Sequence, residues 1–402
     1  MTGAGEVDLV AVRAPRREAA LAVSRAWDEG DAVLVLDPAA PEAAVDRVIA
    51  AIAPTHLTAG THRLALPGGI PVASGTRAVV ATSGTTGTPK GVELTAEGAT
   101  AIGHGWAGAI GHDPDDHWLV CVPLHHVAGL AILARARVTG AAVTVHDTFD
   151  LAAVASAPAA IGATLVSLVP TMLGRMLDAR APLHEYRRVV TGGAPIPAAL
   201  RRRAEDAGVA VVDAYGQSET WGGCVANGTP IPGAHVRLGP DDEIEIDGPM
   251  VMRDYRRDPE ASRRAFTHDG WLRTGDVGRF SPGGQLEVID RLRDLIITGG
   301  VNVSPVEVEH VLAEHPGVAD LAVVGGPDPE WGERVVAHVV PRDRDTPPTL
   351  ADLRAFARDR LPPAKLPREV VLLDEVPRSP GGKILRRNLR ADPRSSVTEH
   401  DT

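Results

Sequence analysis

Residues 81–92 read ATSGTTGTPKGV, a segment in which three glycines and five hydroxyl side chains surround a single lysine. Glycine lets backbone N–H groups approach an anion without a Cβ in the way, and hydroxyls and a mobile ammonium add further donors. The segment therefore predicts a phosphate-binding loop. It differs from the Walker sequence, because Lys90 is followed by Gly91 and not by the Ser or Thr that would bind Mg²⁺. A Gly/Thr-rich surface turn is the alternative that this segment alone leaves open.

Six further motifs follow this loop along the chain. They are PLHHVAG at 123–129, TGGAPI at 191–196, YGQSET at 215–220, GWLRTGD at 270–276, DRLRDLIITGGVNVSPVEVE at 290–309 and PRSPGGKILR at 377–386. With the loop and these motifs, the chain resembles the adenylate-forming superfamily, which includes acyl-CoA synthetases, nonribosomal adenylation domains and luciferases. The resemblance extends over roughly residues 75–390. Because few residues precede the loop, the chain is most similar to the short o-succinylbenzoate CoA ligases of actinobacteria.

Length and composition limit the fold and the partners. A chain of 402 residues is too long for one core of ordinary size, so two or more domains are expected. Hydrophobic residues make up 44% of the chain but aromatic residues only 3%, which disfavours a base-stacking surface for nucleic acid. The net charge of −11, without a basic stripe, also disfavours nucleic acid as a partner.

The cysteines and the N-terminal segment indicate the cellular compartment. Cys121 and Cys224 are far apart in sequence and match no zinc spacing, so both are expected to be reduced core residues. The first thirty residues carry mixed charges and no apolar run long enough for a signal peptide or a membrane span. We therefore expect a soluble cytoplasmic protein.

Hydrophobic periodicity predicts an α/β fold. Short β-branched runs predict strands at 32–36, 78–82, 118–122, 142–145, 164–168, 188–191 and 209–212. They alternate with stretches of helical period at 15–29, 41–51, 95–110, 170–179 and 197–207. Residues 234–288 have the short strands and turns of a small β subdomain, and the residues beyond 294 predict a compact α+β unit.

The resemblance implies a domain boundary near residue 290. Residues 1–290 would form a large N-terminal domain, shortened at its start, of parallel sheets covered by helices plus the small β subdomain. Residues 291–402 would form a small mobile α+β C-terminal domain, a lid that rotates about Arg293 between two half-reactions. Relatives with this fold are often dimers, so a homodimer is an expected assembly.

The activity that the resemblance implies is ATP-dependent ligation of a carboxylate to coenzyme A. The carboxylate attacks the α-phosphorus of ATP, pyrophosphate leaves, and a thiolate then attacks the acyl-AMP. No protein nucleophile is needed, so the first step depends on alignment and on charge stabilisation by Mg²⁺, an ammonium and loop donors. The implied substrate is o-succinylbenzoate, an acid of menaquinone biosynthesis. The alternative is another aryl or acyl acid, transferred to coenzyme A or to a carrier protein.

Four residues match the family's catalytic positions. Lys383 matches the lysine that bridges the carboxylate and the α-phosphate, and this chain otherwise uses Arg almost everywhere. Glu219 would bind Mg²⁺, since a carboxylate beside phosphate is repelled unless a cation lies between them, and Thr220 would donate to the AMP phosphate. His126 matches the histidine between the acyl pocket and the thiol channel. A surface lysine and a capping or surface glutamate are the alternatives for Lys383 and Glu219.

The nucleotide is expected to contact loop residues, an adenine platform and ribose ligands. Tyr215 offers a flat ring to adenine, Asp276 fits a bidentate acceptor for ribose hydroxyls, and Arg291 fits a partner for ribose or phosphate. Asp276 and Arg291 could instead form an ordinary turn or ion pair. The full nucleotide set is Thr82, Ser83, Gly84, Thr85, Thr86, Gly87, Lys90, Gly193, Ala194, Pro195, Asp213, Ala214, Tyr215, Gly216, Asp276 and Arg291.

The acid and the thiol are expected at two further groups of residues. The thiol would pass Gly299 and Gly300. Relatives that activate amino acids carry an Asp near the position of PLHHVAG to bind the α-amino group, and this segment has no such Asp, which disfavours an amino acid as the substrate. Trp221 replaces the small or polar residue that relatives often have after the Glu-Thr pair. A pocket adapted to an acid other than o-succinylbenzoate is therefore an open alternative. The expected acyl pocket consists of His126, Val127, Ser167, Leu168, Gly192, Trp221, Gly222, Gly223 and Cys224.

The sequence disfavours three alternatives to these assignments. His125 and His126 are adjacent, and in an extended segment they would point to opposite faces, so a shared metal is disfavoured and His125 is expected to form pocket wall or structure. An unrelated ATPase or kinase is disfavoured because the chain has no Walker A, kinase Gly-loop or HRD/DFG motif. A non-catalytic nucleotide-binding relative would not need Lys383, Glu219 and Asp276 intact.

Overall fold

The computed structural model describes residues 5–60, 62–83, 89–378, 384–390 and 399–400. The strands are, in chain order, β1 (Glu6–Val7), β2 (Leu9–Val12), β3 (Ala32–Val35), β4 (His56–Ala59), β5 (His62–Ala65), β6 (Val72–Ala73), β7 (Thr76–Ser83), β8 (Pro89–Thr95), β9 (His117–Val120), β10 (Ala142–Val145), β11 (Leu165–Leu168), β12 (Arg188–Gly192), β13 (Val211–Tyr215), β14 (Val225–Ala226), β15 (Thr229–Pro230), β16 (His235–Leu238), β17 (Glu243–Asp247), β18 (Tyr255–Arg256), β19 (Leu272–Phe280), β20 (Leu286–Arg291), β21 (Ile296–Thr298), β22 (Val301–Val303), β23 (Val318–Asp328), β24 (Gly332–Pro341), β25 (Glu369–Leu372) and β26 (Glu399–His400).

Helices alternate with these strands and confirm the predicted α/β class. They are α1 (Arg16–Asp28), α2 (Glu42–Ile52), α3 (Ala96–Ile110), α4 (Val127–Thr139), α5 (Leu151–Ile161), α6 (Pro170–Asp178), α7 (Ala198–Asp206), α8 (Pro259–Ala265), α9 (Pro305–Leu312), α10 (Leu350–Ala357) and α11 (Arg386–Arg390). Four helices begin one residue later than predicted, because Pro15, Pro41, Thr95 and Pro197 are the N-cap residues that precede the first helical residue. The strand predicted at 209–212 begins two residues later, as β13.

The described chain divides into two compact units. The first consists of Met1–Arg237 and Glu245–Thr274, and the second of Leu238–Ile244 and Gly275–Thr402. A four-stranded sheet has the order β16-β17-β19-β20. The predicted domain boundary, with residues 1–290 in one domain and 291–402 in the other, stays a prediction.

Two seven-stranded sheets form the first unit. One has the order β10-β9-β11-β12-β13-β14-β15, and its first five strands run parallel. The other has the order β18-β8-β7-β3-β2-β4-β5, and β2, β3, β4 and β7 form its parallel part. Both are backed by aliphatic cores in which buried Leu, Val, Ile and Ala predominate, as the low aromatic content predicts.

The second unit contains a six-stranded sheet. Its order is β22-β21-β24-β25-β26, and β23 pairs with β24 along almost its whole length. Helices α9 and α10 contribute Val308, Leu312, Leu350 and Leu353 to the aliphatic core of this unit. Ser304 begins α9 by accepting a hydrogen bond from the N–H of Glu307, and Thr349 forms a capping box with Asp352 at α10.

Candidate active site

Several predicted site residues of the first unit lie at one edge of a parallel sheet. Strands β9, β11, β12 and β13 are neighbours in this sheet and run in the same direction. Their carboxyl ends carry the segments with His126, Ser167, Gly192 and Tyr215, because each segment lies at or directly after a strand end. Ligands of open α/β sheets bind outside the carboxyl ends of such strands. The topology therefore assembles residues that are far apart in sequence.

Glycines at this edge allow strands and loops to approach closely. A Cβ on Gly192 would lie 2.8 Å from the carbonyl oxygen of Ala214, so a side chain there would push β12 and β13 apart. Gly193 has φ +84°, which also favours glycine. A Cβ on Gly222 would lie 3.3 Å from Cγ1 of Val127, so the structure brings these two predicted pocket residues together.

The phosphate-loop motif joins two antiparallel strands. Thr82 lies opposite Lys90 and Ser83 opposite Pro89 at the ends of β7 and β8. The hydroxyl of Thr82 donates to the carbonyl oxygen of Lys90 at 3.4 Å. Gly84, Thr85, Thr86 and Gly87, together with Lys383, lie outside the described residues. Their predicted roles stay predictions.

Glu219 lies on a short 3-10 helix and faces Tyr255. The Tyr255 hydroxyl donates to Oε1 of Glu219 at 2.7 Å, and Nζ of Lys90 lies 5.0 Å from the centroid of the Tyr255 ring. Burial, followed by the Glu219 carboxylate, raises the pKa of Tyr255, so its hydroxyl keeps its proton and donates. Sequence analysis missed Tyr255, although it is one of only three tyrosines in the chain.

Thr220, the last residue of this helix, and Trp221, which follows it, are fully buried. Oγ1 of Thr220 accepts from the N–H of Gln217 at 3.0 Å, and the Gln217 side chain accepts from the Thr220 N–H, which together form a capping box. The Thr220 hydroxyl also donates to the Gln217 carbonyl oxygen at 3.2 Å. Trp221 is 0% exposed, and its Nε1 donates to the carbonyl oxygen of Thr95 at 3.1 Å. The expected contacts of Thr220 with AMP and of Trp221 with the acid stay predictions.

Both cysteines are buried thiols, as predicted. Burial raises the pKa of Cys224 to about 12, and it raises the pKa of Cys121 to about 12 as well. Neither thiol is therefore ionised near neutral pH. Cys224 directly follows Gly222 and Gly223 in the predicted acyl pocket.

Arg135 is a buried cation beside this predicted pocket. It is 6% exposed on α4, and its guanidinium carbon lies 4.2 Å from the centroid of the Trp106 ring. The Trp106 Nε1 donates to the carbonyl oxygen of Gly223 at 2.9 Å, and a Cβ on Gly223 would lie 3.3 Å from Nη2 of Arg135. The described residues provide no carboxylate partner for Arg135, and its Nε has no hydrogen-bond acceptor there.

Burial lowers the pKa of Arg135 to about 9. An unpaired buried guanidinium is costly, and a nearby anion would stabilise its charge. Sequence analysis missed this residue too. The available signal was an arginine within the otherwise apolar segment VAGLAILARA.

Asp213 has a partner within the protein. Nη2 of Arg201 on α7 donates to Oδ2 of Asp213 at 2.6 Å, and the Asp213 N–H donates to Oδ1 of Asn227 at 2.8 Å. Burial raises the pKa of Asp213, and the Arg201 charge opposes this shift. A nucleotide that contacts Asp213 as predicted would have to share this residue with Arg201 and Asn227.

The histidine pair differs from the extended geometry assumed from the sequence. The ring centroids of His125 and His126 are 4.4 Å apart, because the pair lies in a turn directly before α4. The interpretation that the two side chains point to opposite faces is therefore wrong. Nδ1 of His125 lies 3.9 Å from Oδ1 of Asp37, and burial lowers the pKa of His125.

The predicted ribose ligands of the second unit pair with each other. Asp276 on β19 lies opposite Arg291 on β20, and Oδ1 of Asp276 is 2.6 Å from Nε of Arg291. The Arg291 side chain is 40% exposed and the Asp276 side chain 5%. Arg293, the predicted hinge residue, is mostly exposed, and its Nε lies 4.0 Å from Asp294. The roles of these residues stay predictions.

Gly299 and Gly300 form the turn between β21 and β22, with φ of +56° and +79°. A Cβ on Gly299 would lie 2.5 Å from Cε3 of Trp331, and the Gly299 N–H donates to the Trp331 carbonyl oxygen at 2.9 Å. The turn thus requires glycine for both conformation and space. A thiol path along it stays a prediction.

Two kinds of feature are absent from the described residues. None of their helices is long and apolar enough to cross a membrane. No group of three or more His, Cys, Asp or Glu residues in this part of the chain is arranged to bind a metal ion.

Comparison with known proteins identifies the family. The model of the AMP-binding enzymes matches residues 76–255, and the model of the AMP-binding enzyme C-terminal domain matches residues 307–383. A Mycobacterium tuberculosis protein named "Probable 2-succinylbenzoate–CoA ligase" is 39% identical over 321 residues, which cover 77% of this chain and 82% of that protein. A Rhodococcus jostii CoA ligase, named for a methyl-dioxo-octahydroindenyl propanoyl group, is 36% identical over 335 residues, 78% of this chain and 64% of that protein.

Solved structures agree with this result. The Bacillus subtilis o-succinylbenzoate CoA synthetase in complex with the acyl-adenylate intermediate OSB-AMP has a TM-score of 0.85 at 28% identity. The match covers 97% of this chain and 89% of that enzyme. The same enzyme with ATP and magnesium ion has a TM-score of 0.83 at 28% identity, and the match covers 96% of this chain and 90% of that one. The resemblance predicted from the seven motifs is therefore confirmed: the chain belongs to the family of AMP-binding enzymes.

Proposed function

We propose that this enzyme joins o-succinylbenzoate to coenzyme A with MgATP, by way of an acyl-AMP and release of pyrophosphate. The names of the Mycobacterium and Bacillus proteins support this activity, and so does the site at the carboxyl ends of the parallel strands. The product would be used in menaquinone synthesis. Because ATP and coenzyme A are cytoplasmic metabolites, we place the reaction in the cytoplasm.

The described residues can bind and orient the nucleotide. Lys90, and the hydroxyl of Thr82, lie at the base of the phosphate loop, where an ammonium and a hydroxyl would contact phosphate oxygens. Mg²⁺ at nucleotide sites is bound by one or two carboxylates, together with phosphate oxygens and water, and Glu219 supplies one such carboxylate. Charge on the phosphates would be neutralised by Mg²⁺ at this position.

The buried guanidinium of Arg135 is the feature that favours a dicarboxylic acid as the substrate. o-Succinylbenzoate has one carboxylate on its succinyl arm, which is activated, and a second on its ring, which must remain as an anion. A buried guanidinium beside Gly223, without a carboxylate partner in the described part of the chain, fits such an anion. Arginine is suited to bind a carboxylate through two parallel hydrogen bonds.

The test measures pyrophosphate release with MgATP for o-succinylbenzoate and for 4-oxo-4-phenylbutanoate, which lacks the ring carboxylate. Hydrogen bonds to charged groups contribute about 1.5–3 kcal/mol, so we expect kcat/KM to favour o-succinylbenzoate by roughly 10- to 100-fold. The product with coenzyme A should be a thioester, detected by mass spectrometry. A preference for the compound without the ring carboxylate would contradict the substrate assignment.

Arg135→Met should remove this preference while the protein stays folded, because methionine fills a similar volume without a charge to bury. Arg137→Met is the matched control on the same helix, since Arg137 is exposed and pairs with Asp28 at 2.6 Å. We expect this control to keep the preference of the wild type. Equal preference in both variants would exclude Arg135 as its cause.

A second candidate is a ligase for another aryl or acyl acid, with transfer to coenzyme A or to a carrier protein. The Rhodococcus relative supports it, because its name describes a different acid at 36% identity. If a bulky monocarboxylic acid is activated best in a wider panel, the reaction class stands and the pathway assignment falls. Thioester formation on an added carrier protein, but not on coenzyme A, would identify the acceptor.

The proposal also includes the division of the chain into two domains and its oligomeric state. Residues 1–290 would form the large domain and residues 291–402 the lid, which places Lys383 in the lid and Arg293 at its hinge. A homodimer is proposed as the assembly. Light scattering of the purified enzyme would measure its mass directly.

A further inference from the structure

Tyr255 is in contact with two groups that the proposed function assigns to MgATP. Its hydroxyl donates to Oε1 of Glu219 at 2.7 Å, and its ring lies 5.0 Å from Nζ of Lys90. These three residues come from distant parts of the sequence, and all belong to the first unit. The inference drawn from this contact rests on the proposed function, because that function is the reason why Glu219 and Lys90 matter.

The backbone holds Tyr255 firmly in place. On β18, Tyr255 is opposite Val92 and Arg256 is opposite Gly91, so the strand is paired to β8 directly beyond Lys90. Arg256 anchors this strand, because its guanidinium donates to the carbonyl oxygen of Ile52 at 2.6 Å and to Glu93 at 3.1 Å. The N–H of Tyr255 donates to Oγ of Ser262 at 2.9 Å. The phenol ring is therefore presented from a fixed strand.

The Glu219 backbone is fixed as well. The N–H of Met252, near the start of β18, donates to the Glu219 carbonyl oxygen at 2.7 Å. With the backbone held, only the side-chain torsions of Glu219 are free to change. The Tyr255 hydroxyl restrains them by donating a hydrogen bond to one carboxylate oxygen. Among the described residues, Tyr255 is the hydrogen-bond partner of this carboxylate, and its second oxygen remains available to a cation.

Lys90 needs a similar restraint. A lysine side chain has a flexible four-carbon stem, and an ammonium over an aromatic ring is attracted to the face of that ring. The Tyr255 ring provides this face. We propose that Tyr255 is a positioning residue for MgATP: its hydroxyl orients Glu219 towards the metal, and its ring holds Lys90 beside the phosphates.

The two contacts can be separated by substitution. Tyr255→Phe keeps the ring over Lys90 and removes the hydrogen bond to Glu219, whereas Tyr255→Leu removes both contacts. Tyr186→Phe is the matched control, because the buried Tyr186 hydroxyl donates to the carbonyl oxygen of Val154 at 2.6 Å, and Tyr186 belongs to the core. Thermal unfolding of each variant would establish that it is folded.

The measurement is titration calorimetry of ATP over a series of Mg²⁺ concentrations, without any carboxylic acid. Loss of a residue that orients a metal ligand lowers metal affinity by about 10- to 100-fold. In Tyr255→Phe we expect the Mg²⁺ concentration that gives half-maximal ATP binding to rise by about 10-fold, and saturating Mg²⁺ to restore ATP affinity. In Tyr255→Leu, saturating Mg²⁺ should not restore it, because Lys90 is no longer held.

The outcomes separate this inference from the proposed function. If Tyr255→Phe has the Mg²⁺ dependence of the wild type or of Tyr186→Phe, Tyr255 is a packing residue and the inference is wrong. If the wild type binds MgATP but activates no acid in the panel, the proposed substrate fails while the result for Tyr255 stands. If the wild type binds no MgATP, both are overturned.

Discussion

At the residue scale, Trp221 is packed tightly against α3. Its backbone is in the left-handed region, with φ +52°, and its indole packs against Gly98 of α3, where a Cβ would lie 2.8 Å from the ring. The side chain is fully buried and donates to the Thr95 carbonyl oxygen. These contacts favour a role of Trp221 in joining α3 to the segment after Glu219.

Trp221→Phe should lower stability by about 1–3 kcal/mol, because it removes a buried hydrogen bond and leaves space beside Gly98. The ratio of kcat/KM values for o-succinylbenzoate and 4-oxo-4-phenylbutanoate should change less than about twofold. Urea unfolding and pyrophosphate release measure the two effects. Trp27→Phe, which loses the bond from its indole to the Arg77 carbonyl oxygen at 2.9 Å, is the control for stability. A changed ratio would mean that Trp221 borders the acid.

At the element scale, a buried ion pair connects three elements of the second unit. Nη2 of Arg386 on α11 lies 2.8 and 2.7 Å from the two oxygens of Glu309 on α9. The same carboxylate accepts a hydrogen bond from the N–H of Val323 on β23 at 2.8 Å. Burial raises the pKa of Glu309, and the Arg386 charge opposes this shift. The pair therefore links α11 to α9 and β23. Helix α11 begins at Arg386, the last residue of the motif that contains Lys383.

Arg386→Met should destabilise the protein by about 3–5 kcal/mol at neutral pH, because it leaves a carboxylate buried without a partner. The pKa of Glu309 is already raised in the folded state, and the variant should raise it further. A raised folded pKa means that the unfolded chain binds fewer protons, so stability falls as pH rises through the interval between the two pKa values. The variant should thus recover stability as pH is lowered towards 5.

The measurement for this prediction is the midpoint of urea unfolding as a function of pH. Arg360→Met is the control, since its exposed partner Glu314 lies 3.0 Å away and remains solvated without it. We expect a change below about 1 kcal/mol for this control. A pH dependence of Arg386→Met that matches the wild type would contradict a buried, charged Glu309.

At the scale of the whole molecule, the residues that the sequence predicts for the site are divided between the two units. Glu219, Lys90 and Arg135 belong to the first unit, whereas Asp276 and Arg291 belong to the second. The family models also match two separate regions, 76–255 and 307–383. A two-part chain of this kind is suited to alternate between half-reactions by rotation of its smaller part. That rotation is a proposal for this protein.

Lys383→Ala should abolish adenylation and spare thioester formation from supplied acyl-AMP. The reason is that an ammonium between carboxylate and phosphate serves the first half-reaction only. Pyrophosphate release measures the first step, and the yield of thioester from coenzyme A and acyl-AMP measures the second. Equal loss of both steps would contradict a lid with two working positions.

The local sequence determined the class of the protein, because its signals act over short distances. The β-branched runs predicted the five parallel strands of the first sheet and two of the four in the second, to within about three residues, whereas β2 and β4 were not predicted. The ordered motifs specified the family, since glycines, hydroxyls and a lysine at fixed spacing form a phosphate loop in many contexts. The same motifs predicted that Glu219 and Lys90 belong to the candidate site.

Only the tertiary structure decided which side chains surround those residues. Tyr255 is 36 positions from Glu219, and the pairing of β18 with β8 is what brings its ring to Lys90. Arg135 stands out in the sequence only as an arginine within an apolar segment, and the packing of α4 against Trp106 and Gly223 is what gives it a place beside the predicted pocket. Trp221 proved to be buried, and the His125 and His126 rings proved to be in contact. Burial and contact depend on long-range packing, which no local pattern encodes.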